Sequence, residues 1–263
     1  MMILAKWGQL ERIIEKADVV LEVVDARNPM ATRSPRLEQM VKRKGKQLLI
    51  VLNKGDLVPI EVLKKWAQYF RGQGIPAVYI AASKHMGTRE LRKAITSLVN
   101  KKPIIVAVVG YPKTGKSTII NALKGRSSAS TSSIPGSTGY TKTFSEYKIS
   151  ENLRLIDTPG TIPIEGDELE KAIRGCPPEK LEDPVKLAAM LIERALQANP
   201  KAIEDTYGIS DKDPYIILQK IALKRGWIYK TTKEPIIDEA AKAVIRDYHE
   251  GKFNFYVMPP EQA

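Results

Sequence analysis

An apolar run, Ile104-Ile105-Val106-Ala107-Val108-Val109, leads directly into Gly110-Tyr111-Pro112-Lys113-Thr114-Gly115-Lys116-Ser117, and the residues from Thr118 to Leu123 then carry helical apolar spacing. Strand, glycine-bounded loop and helix in immediate succession constrain the fold more than any other feature. A strand apolar on both faces, followed at once by a helix, is the repeating unit of a parallel sheet covered by helices. Gly110 and Gly115 let the backbone turn where a Cβ forbids it, so successive N–H groups converge on one spot, and the helix beginning near Lys116 adds its positive end. Such a spot holds phosphate oxygens. The spacing G-x-x-x-x-G-K-S predicts phosphate contacts from Gly110, Tyr111, Pro112, Lys113, Thr114, Gly115, Lys116, Ser117 and Thr118. In that arrangement the Lys116 ammonium stands between a β- and a γ-phosphate, and the Ser117 hydroxyl is an oxygen ligand for Mg²⁺.

Two more strand ends carry chemistry. Gln47 to Leu52 read as a buried strand and run into Asn53-Lys54-Gly55-Asp56. The Asp56 carboxylate is acceptor-only and can receive both N1–H and the amino group of guanine, whereas adenine offers an acceptor at N1 and no amino group at C2, so the expected nucleotide is GTP or GDP. Lys54 can lay its aliphatic stem over the base, and Asn53 can tie this loop to the phosphate loop. After the strand-like Ala77 to Ile80, a backbone N–H of Ala82 or Ser83 is placed to read guanine O6. Asp157-Thr158-Pro159-Gly160 follows Leu153 to Ile156. By itself it is a Pro-Gly turn. Beside a phosphate loop, Asp157 becomes a ligand of Mg²⁺ through water and Gly160 a backbone donor to the γ-phosphate. The Ser- and Gly-rich stretch from Gly125 to Thr138 has the composition of a loop and the position of a nucleotide-sensing switch.

The order of these segments is inverted: the base-reading loop precedes the phosphate loop. The series Asn53-Lys54-Gly55-Asp56, Ala81-Ala82-Ser83, the phosphate loop, Pro135-Gly136-Ser137-Thr138 and Asp157-Thr158-Pro159-Gly160, with Val24-Asp25-Ala26-Arg27-Asn28-Pro29 ahead of them, resembles the circularly permuted GTPases of the YlqF/RbgA type over most of the chain. The resemblance implies an α/β fold: a permuted GTPase domain with a mostly parallel six-stranded sheet at 1–163, a switch-linker at 164–179, and a small all-helical domain at 180–263. It further implies GTP hydrolysis in late assembly of the large ribosomal subunit or its precursor, with rRNA contact. It makes Thr138 the second hydroxyl ligand of Mg²⁺, with Thr141 as alternative, and Lys116 and Thr138 participants in catalysis. The alternative activity is a nucleotide-gated RNA or ribosome binding module with little turnover.

The chain departs from the familiar patterns at two places. No Gln follows Gly160 to orient a water molecule, because the next residues are Thr161 and Ile162. Lys113 stands where the relatives carry an Asn associated with a potassium ion, so its ammonium is expected to stand in for that ion beside the phosphates.

Charge extends the same expectation. The net charge is +12, which favours a polyanionic partner. Residues 1–163 hold 27 Lys and Arg against 12 Asp and Glu, while residues 164–263 hold 15 against 18, so the basic excess belongs to the first domain. Two clusters stand out: Arg33, Arg36, Lys42, Arg43, Lys44 and Lys46, and then Lys84, Arg89, Arg92, Lys93, Lys101 and Lys102. In the helical part any RNA contact must come from a local patch such as Lys220, Lys224, Arg225, Lys230 and Lys233, with Trp227 and Tyr229 open equally to stacking or to core packing. A single cysteine, Cys176, leaves no disulfide framework or Cys-rich zinc site. Without an apolar run of membrane-spanning length, the expectation is a cytoplasmic monomer with no membrane contact.

Overall fold

The computed structural model describes residues 7–125, 146–156 and 162–261. Among them the chain forms two compact units, one of residues 7–164 with 258–261, the other of residues 165–257. In chain order the first unit contains α1 (Trp7–Lys16), β1 (Val19–Asp25), α2 (Pro29–Thr32), α3 (Pro35–Arg43), β2 (Gln47–Asn53), α4 (Ile60–Gly72), β3 (Ala77–Tyr79), α5 (Thr88–Leu98), β4 (Ile104–Val109), α6 (Lys116–Lys124), β5 (Glu146–Ser150) and β6 (Leu153–Ile156). The sheet order is β3-β2-β1-β4-β6-β5, with every pair parallel except β5 with β6. This is the expected six-stranded, mostly parallel α/β sheet.

Strand periodicity explains the layers. Val19, Leu21 and Val23 of β1, with Val106 and Val108 of β4, face a core completed by Leu91 and Ile95 of α5 and Ile119 and Leu123 of α6. Val20, Ala107 and Val109 face the opposite core, with Leu10, Ile13 and Ile14 of α1 and Leu37 and Val41 of α3. Glu22 breaks that apolar pattern while fully buried. Its Oε1 accepts the Ser34 N–H at 2.5 Å, and Ser34 in turn caps α3 by accepting the Leu37 N–H at 3.3 Å. Burial, reinforced by the nearby Glu38 carboxylate, pushes the Glu22 carboxyl well above the ordinary carboxylate range.

The chain leaves β1 toward β2 and β3, then crosses back to place β4 on the other side of β1. The strand order reverses between β1 and β4, and the carboxyl ends of strands at such a switch point are where open α/β sheets bind ligands.

The second unit contains α7 (Glu168–Gly175), α8 (Pro184–Ala198), α9 (Ala202–Tyr207), α10 (Pro214–Lys224) and α11 (Ile237–Glu250). Asp167, Asp183 and Asp213 cap α7, α8 and α10, and Pro184 and Pro214 occupy the first turns of the latter two. Leu191 and Ile192, Ile217 and Ile221, and Val244 and Tyr248 build the core between α8, α10 and α11. The 164–179 segment, read as a switch-linker whose residues 165–171 begin a short acidic helix, holds α7 and leads into a short 3-10 turn at Pro178–Lys180. Leu169 and Ile173, four apart on α7, are fully buried in the helical core, and the buried Glu170 and Arg174 form an ion pair beside them. The helical unit thus begins near Glu165 and ends at Val257.

The expected RNA patch on this unit is largely engaged internally. Lys220 pairs with Asp211 at 2.6 Å, Lys224 donates to the Tyr207 carbonyl, and Arg225 pairs with Asp247 at 2.8 Å while lying 5.0 Å over the Trp227 ring. Trp227 packs against the core, whereas Tyr215 and Tyr229 are exposed.

Candidate functional site

The phosphate loop occupies the carboxyl end of β4. Gly110 has φ 150° and Gly115 φ 93°. A Cβ on Gly110 would run into the Val23 carbonyl of β1, and one on Gly115 into the Asn53 side-chain amide. No other residue type fits at either position. Tyr111 is fully buried in the core beside α1 and α3 and anchors the loop. Its carbonyl accepts the Thr114 hydroxyl at 2.9 Å and the Lys116 ammonium at 2.7 Å, so the loop closes on itself. Pro112 and Thr114 are buried, Thr118 is half-buried, and Ser117 stands exposed on the first turn of α6. Lys113 holds a left-handed backbone, φ 60°.

Asn53, the last residue of β2 and 3% exposed, joins three segments. Its Nδ2 donates to the Thr114 carbonyl at 2.9 Å and its Oδ1 accepts the Ala82 N–H at 3.3 Å. One side chain thereby fixes the separation of the phosphate loop, its own loop and the segment after β3. Asp56 lies exposed in a 3-10 turn, Gly55–Leu57. Gly55 donates to the Ile80 carbonyl at 3.0 Å, and a Cβ there would lie 3.2 Å from that oxygen, so a glycine permits the close approach. Ala81 and Met86 exchange two backbone hydrogen bonds of 3.0 and 3.1 Å, holding the Ala82–Lys84 turn beside Asp56. With the Ala82 N–H committed to Asn53, Ser83 supplies the exposed end of that turn.

The structure therefore brings residues 53–56, 82–83 and 110–118 to one edge of the sheet. Thr138, Asp157 and Gly160, with the Gly125 to Thr138 stretch beyond Gly125, lie outside the described residues. Among the described residues, no group of three His, Cys, Asp or Glu side chains could hold a metal ion, and no helix is long and apolar enough to cross a membrane.

One part of this edge carried no role in the sequence reading. Asp25 ends β1 in register with Asn53. Its buried carboxylate meets Arg27, also buried, through Nε at 3.0 Å and Nη2 at 2.8 Å, and Lys54 through Nζ at 3.0 Å. The available signal was Asp25 at the end of β1 with Arg27 of opposite charge two residues on.

Most of the basic clusters lie elsewhere. Lys42 and Arg43 end α3, Lys46 precedes β2, and Lys101 and Lys102 precede β4, which puts them at the amino ends of the strands, away from the phosphate loop. Favourable placement of cations at helix carboxyl ends accounts for part of this. Others are engaged: Arg33 with Glu38 at 2.5 Å, Lys44 with Glu11 at 2.8 Å and Glu15 at 2.6 Å, and Lys101 with Asp18 at 2.9 Å.

A family model described as 50S ribosome-binding GTPase matches residues 105–220. An uncharacterized GTP-binding protein of Methanocaldococcus jannaschii is 37% identical over 252 residues, covering 94% of this chain and 65% of that protein. Nucleolar GTP-binding protein 2 of Cryptococcus neoformans var. grubii is 34% identical over 273 residues, covering 97% of this chain and 38% of its own. The chain thus spans less than two thirds of these relatives. The crystal structure of GNP-bound YlqF from T. maritima superposes with a TM-score of 0.69 at 25% identity, covering 97% of this chain and 98% of that one.

Proposed function

Since the chain belongs to the circularly permuted GTPases of the YlqF type, we propose that it binds GTP and GDP at the carboxyl edge of β4, β1, β2 and β3, hydrolyses GTP to GDP and phosphate, and acts in assembly of the large ribosomal subunit through nucleotide-dependent contact with rRNA or a precursor particle. The observation that carries this reading is the Asn53 clasp: a base-reading loop, a phosphate loop and the Ala82–Lys84 turn held at fixed separation by one buried amide.

In this reading Asp56 accepts guanine N1–H and the amino group, the Ser83 N–H donates to O6, and the Lys54 stem covers the base. The backbone N–H groups of residues 110–118 take the phosphates, and the Lys116 ammonium exchanges the Tyr111 carbonyl for phosphate oxygens. Mg²⁺ suits the donor set, because the Ser117 hydroxyl is exposed on the first turn of α6 beside the glycine cradle, and Thr138 and Asp157 add oxygen ligands of the type that hard cation prefers. When bound, it neutralises charge developing between the β- and γ-phosphates. Gly160 adds its N–H at the γ-phosphate. Lys113 contributes a second positive charge in that region, so turnover needs little added potassium; equal potassium stimulation of wild type and Lys113→Asn would contradict this.

The alternative, a nucleotide-gated binding module with little turnover of its own, draws support from the sequence after Gly160: Thr161 stands directly behind it, where a glutamine would orient water, and Ile162 beyond it is buried in the core with its N–H donating to the Gly110 carbonyl at 3.4 Å. Water must be oriented by another group of the chain or by the particle. A soluble, monomeric, cytoplasmic protein fits this role, with Lys42, Arg43, Lys46 and Lys102 as the RNA-facing cations of the first unit. Replacement of Asp56 by Asn tests the base assignment: affinity should move from GTP toward xanthosine triphosphate, and unchanged GTP preference would remove the base-reading role of residues 53–56.

A further inference from the structure

Directly beneath the base-reading loop, one buried carboxylate carries two cations. Asp25 Oδ1 accepts the Arg27 backbone N–H at 3.2 Å and Arg27 Nε at 3.0 Å, Oδ2 accepts Arg27 Nη2 at 2.8 Å, and Lys54 Nζ stands 3.0 Å from the same Oδ2. The Arg27 fork engages both carboxylate oxygens with good geometry. The Lys54 ammonium meets the same carboxylate as a second cation. Lys54 also takes a left-handed backbone, φ 63°, where Gly or Asn sits with less strain. The left-handed backbone and the ion pair together set this lysine at the edge between Asn53 and Asp56.

We propose that Asp25 and Arg27 are positioning residues for nucleotide binding: Arg27 fixes the Asp25 carboxylate, and Asp25 holds the Lys54 ammonium so that the lysine stem is laid out in advance as one wall of the guanine slot. A lysine left free would lose its rotamer freedom when the base arrives, and anchoring it beforehand removes that cost from binding. The inference rests on residues 53–56 reading the base. Because the base is common to both nucleotides, the effect is the same for GDP and GTP, and base selectivity stays with Asp56.

The test is a double-mutant cycle on GDP and GTP dissociation constants for the intact chain: wild type, Asp25→Asn, Lys54→Met and the double variant, with a thermal melt of each. Lys54→Met keeps an apolar stem and leaves the Asp25–Arg27 fork intact, so it answers the question even if Asp25→Asn fails to fold. Each single variant is expected to weaken GDP and GTP alike by roughly fivefold, the size of one side chain released from an ordered rotamer, and the double variant by no more than either single. Additive losses, or a Lys54→Met protein that binds as tightly as wild type, would overturn the inference while leaving guanine-nucleotide binding intact. A wild-type chain that binds neither nucleotide would overturn the proposed function itself, and the inference with it.

Discussion

Asn53 concentrates more of the site in one side chain than any other residue. Replacing it with Ala removes two buried hydrogen bonds, leaves the Thr114 carbonyl and the Ala82 N–H without their partner, and frees the loops they hold. The expected cost is about 2 kcal/mol in urea unfolding, together with a loss of GDP affinity of at least roughly tenfold; a variant that unfolds like wild type would show that the clasp is not under tension. Glu22 gives a prediction in pH. Its carboxyl titrates well above the ordinary value in the folded chain, so the fold holds a proton that the unfolded chain has released. Its contribution is complete below the unfolded value near 4.5 and is lost as pH rises through the folded value. Glu22→Gln, which keeps a carbonyl for Ser34, should therefore raise the melting temperature at neutral pH and flatten its decline as pH rises above the unfolded value near 4.5. Parallel melting curves for the two proteins across that range would contradict it. The glycines and the N-K-G-D tetrapeptide were legible because their chemistry is local to a few residues. The Asp25 to Lys54 contact was not, and neither was the Glu22 to Ser34 contact, since each joins residues of different elements.

At the scale of elements, β1, β2, β4 and α6 follow from apolar runs and glycine placement, and the Asp-Pro pairs at 183–184 and 213–214 announce the starts of α8 and α10. Removing a cap of this kind, as in Asp213→Ala, should cost about 1 kcal/mol of helical-unit stability, read from thermal unfolding. Residues 165–171 read as a short acidic helix start, and α7 runs from Glu168 to Gly175; what composition cannot disclose is that Glu170 and Arg174 pair inside the helical core. Glu170→Gln removes the carboxylate charge that meets the buried Arg174 and should destabilise the helical unit by roughly 3 kcal/mol. A change within about half a kcal/mol would mean that Arg174 is neutralised from elsewhere. The stretch also follows the D-T-P-G segment in the chain, so the proposed function has a second expectation here: hydrogen exchange over residues 165–195 should differ between GDP and a GTP analogue.

For the whole molecule, the charge asymmetry of the two halves and the inverted order of the motifs were both legible in the sequence; the order marks a permuted GTP-binding domain, and the charge supports the proposed polyanionic partner. Spatial placement adds what the sequence could not: unpaired-looking runs such as Lys42 to Lys46 resolve into cations engaged by Glu11 and Glu15 and cations at the amino ends of the strands. The double charge reversal Lys42→Glu and Arg43→Glu should weaken rRNA binding and reduce the slope of its salt dependence by about two, with guanine-nucleotide affinity unchanged. The central claim is that this chain is a GTPase whose active form includes a ribosomal particle, and the most direct test is GTP turnover at physiological salt, alone and with purified large or small subunits. Slow turnover alone, strong stimulation by the large subunit and none by the small one is the predicted result; turnover that neither subunit changes would contradict it.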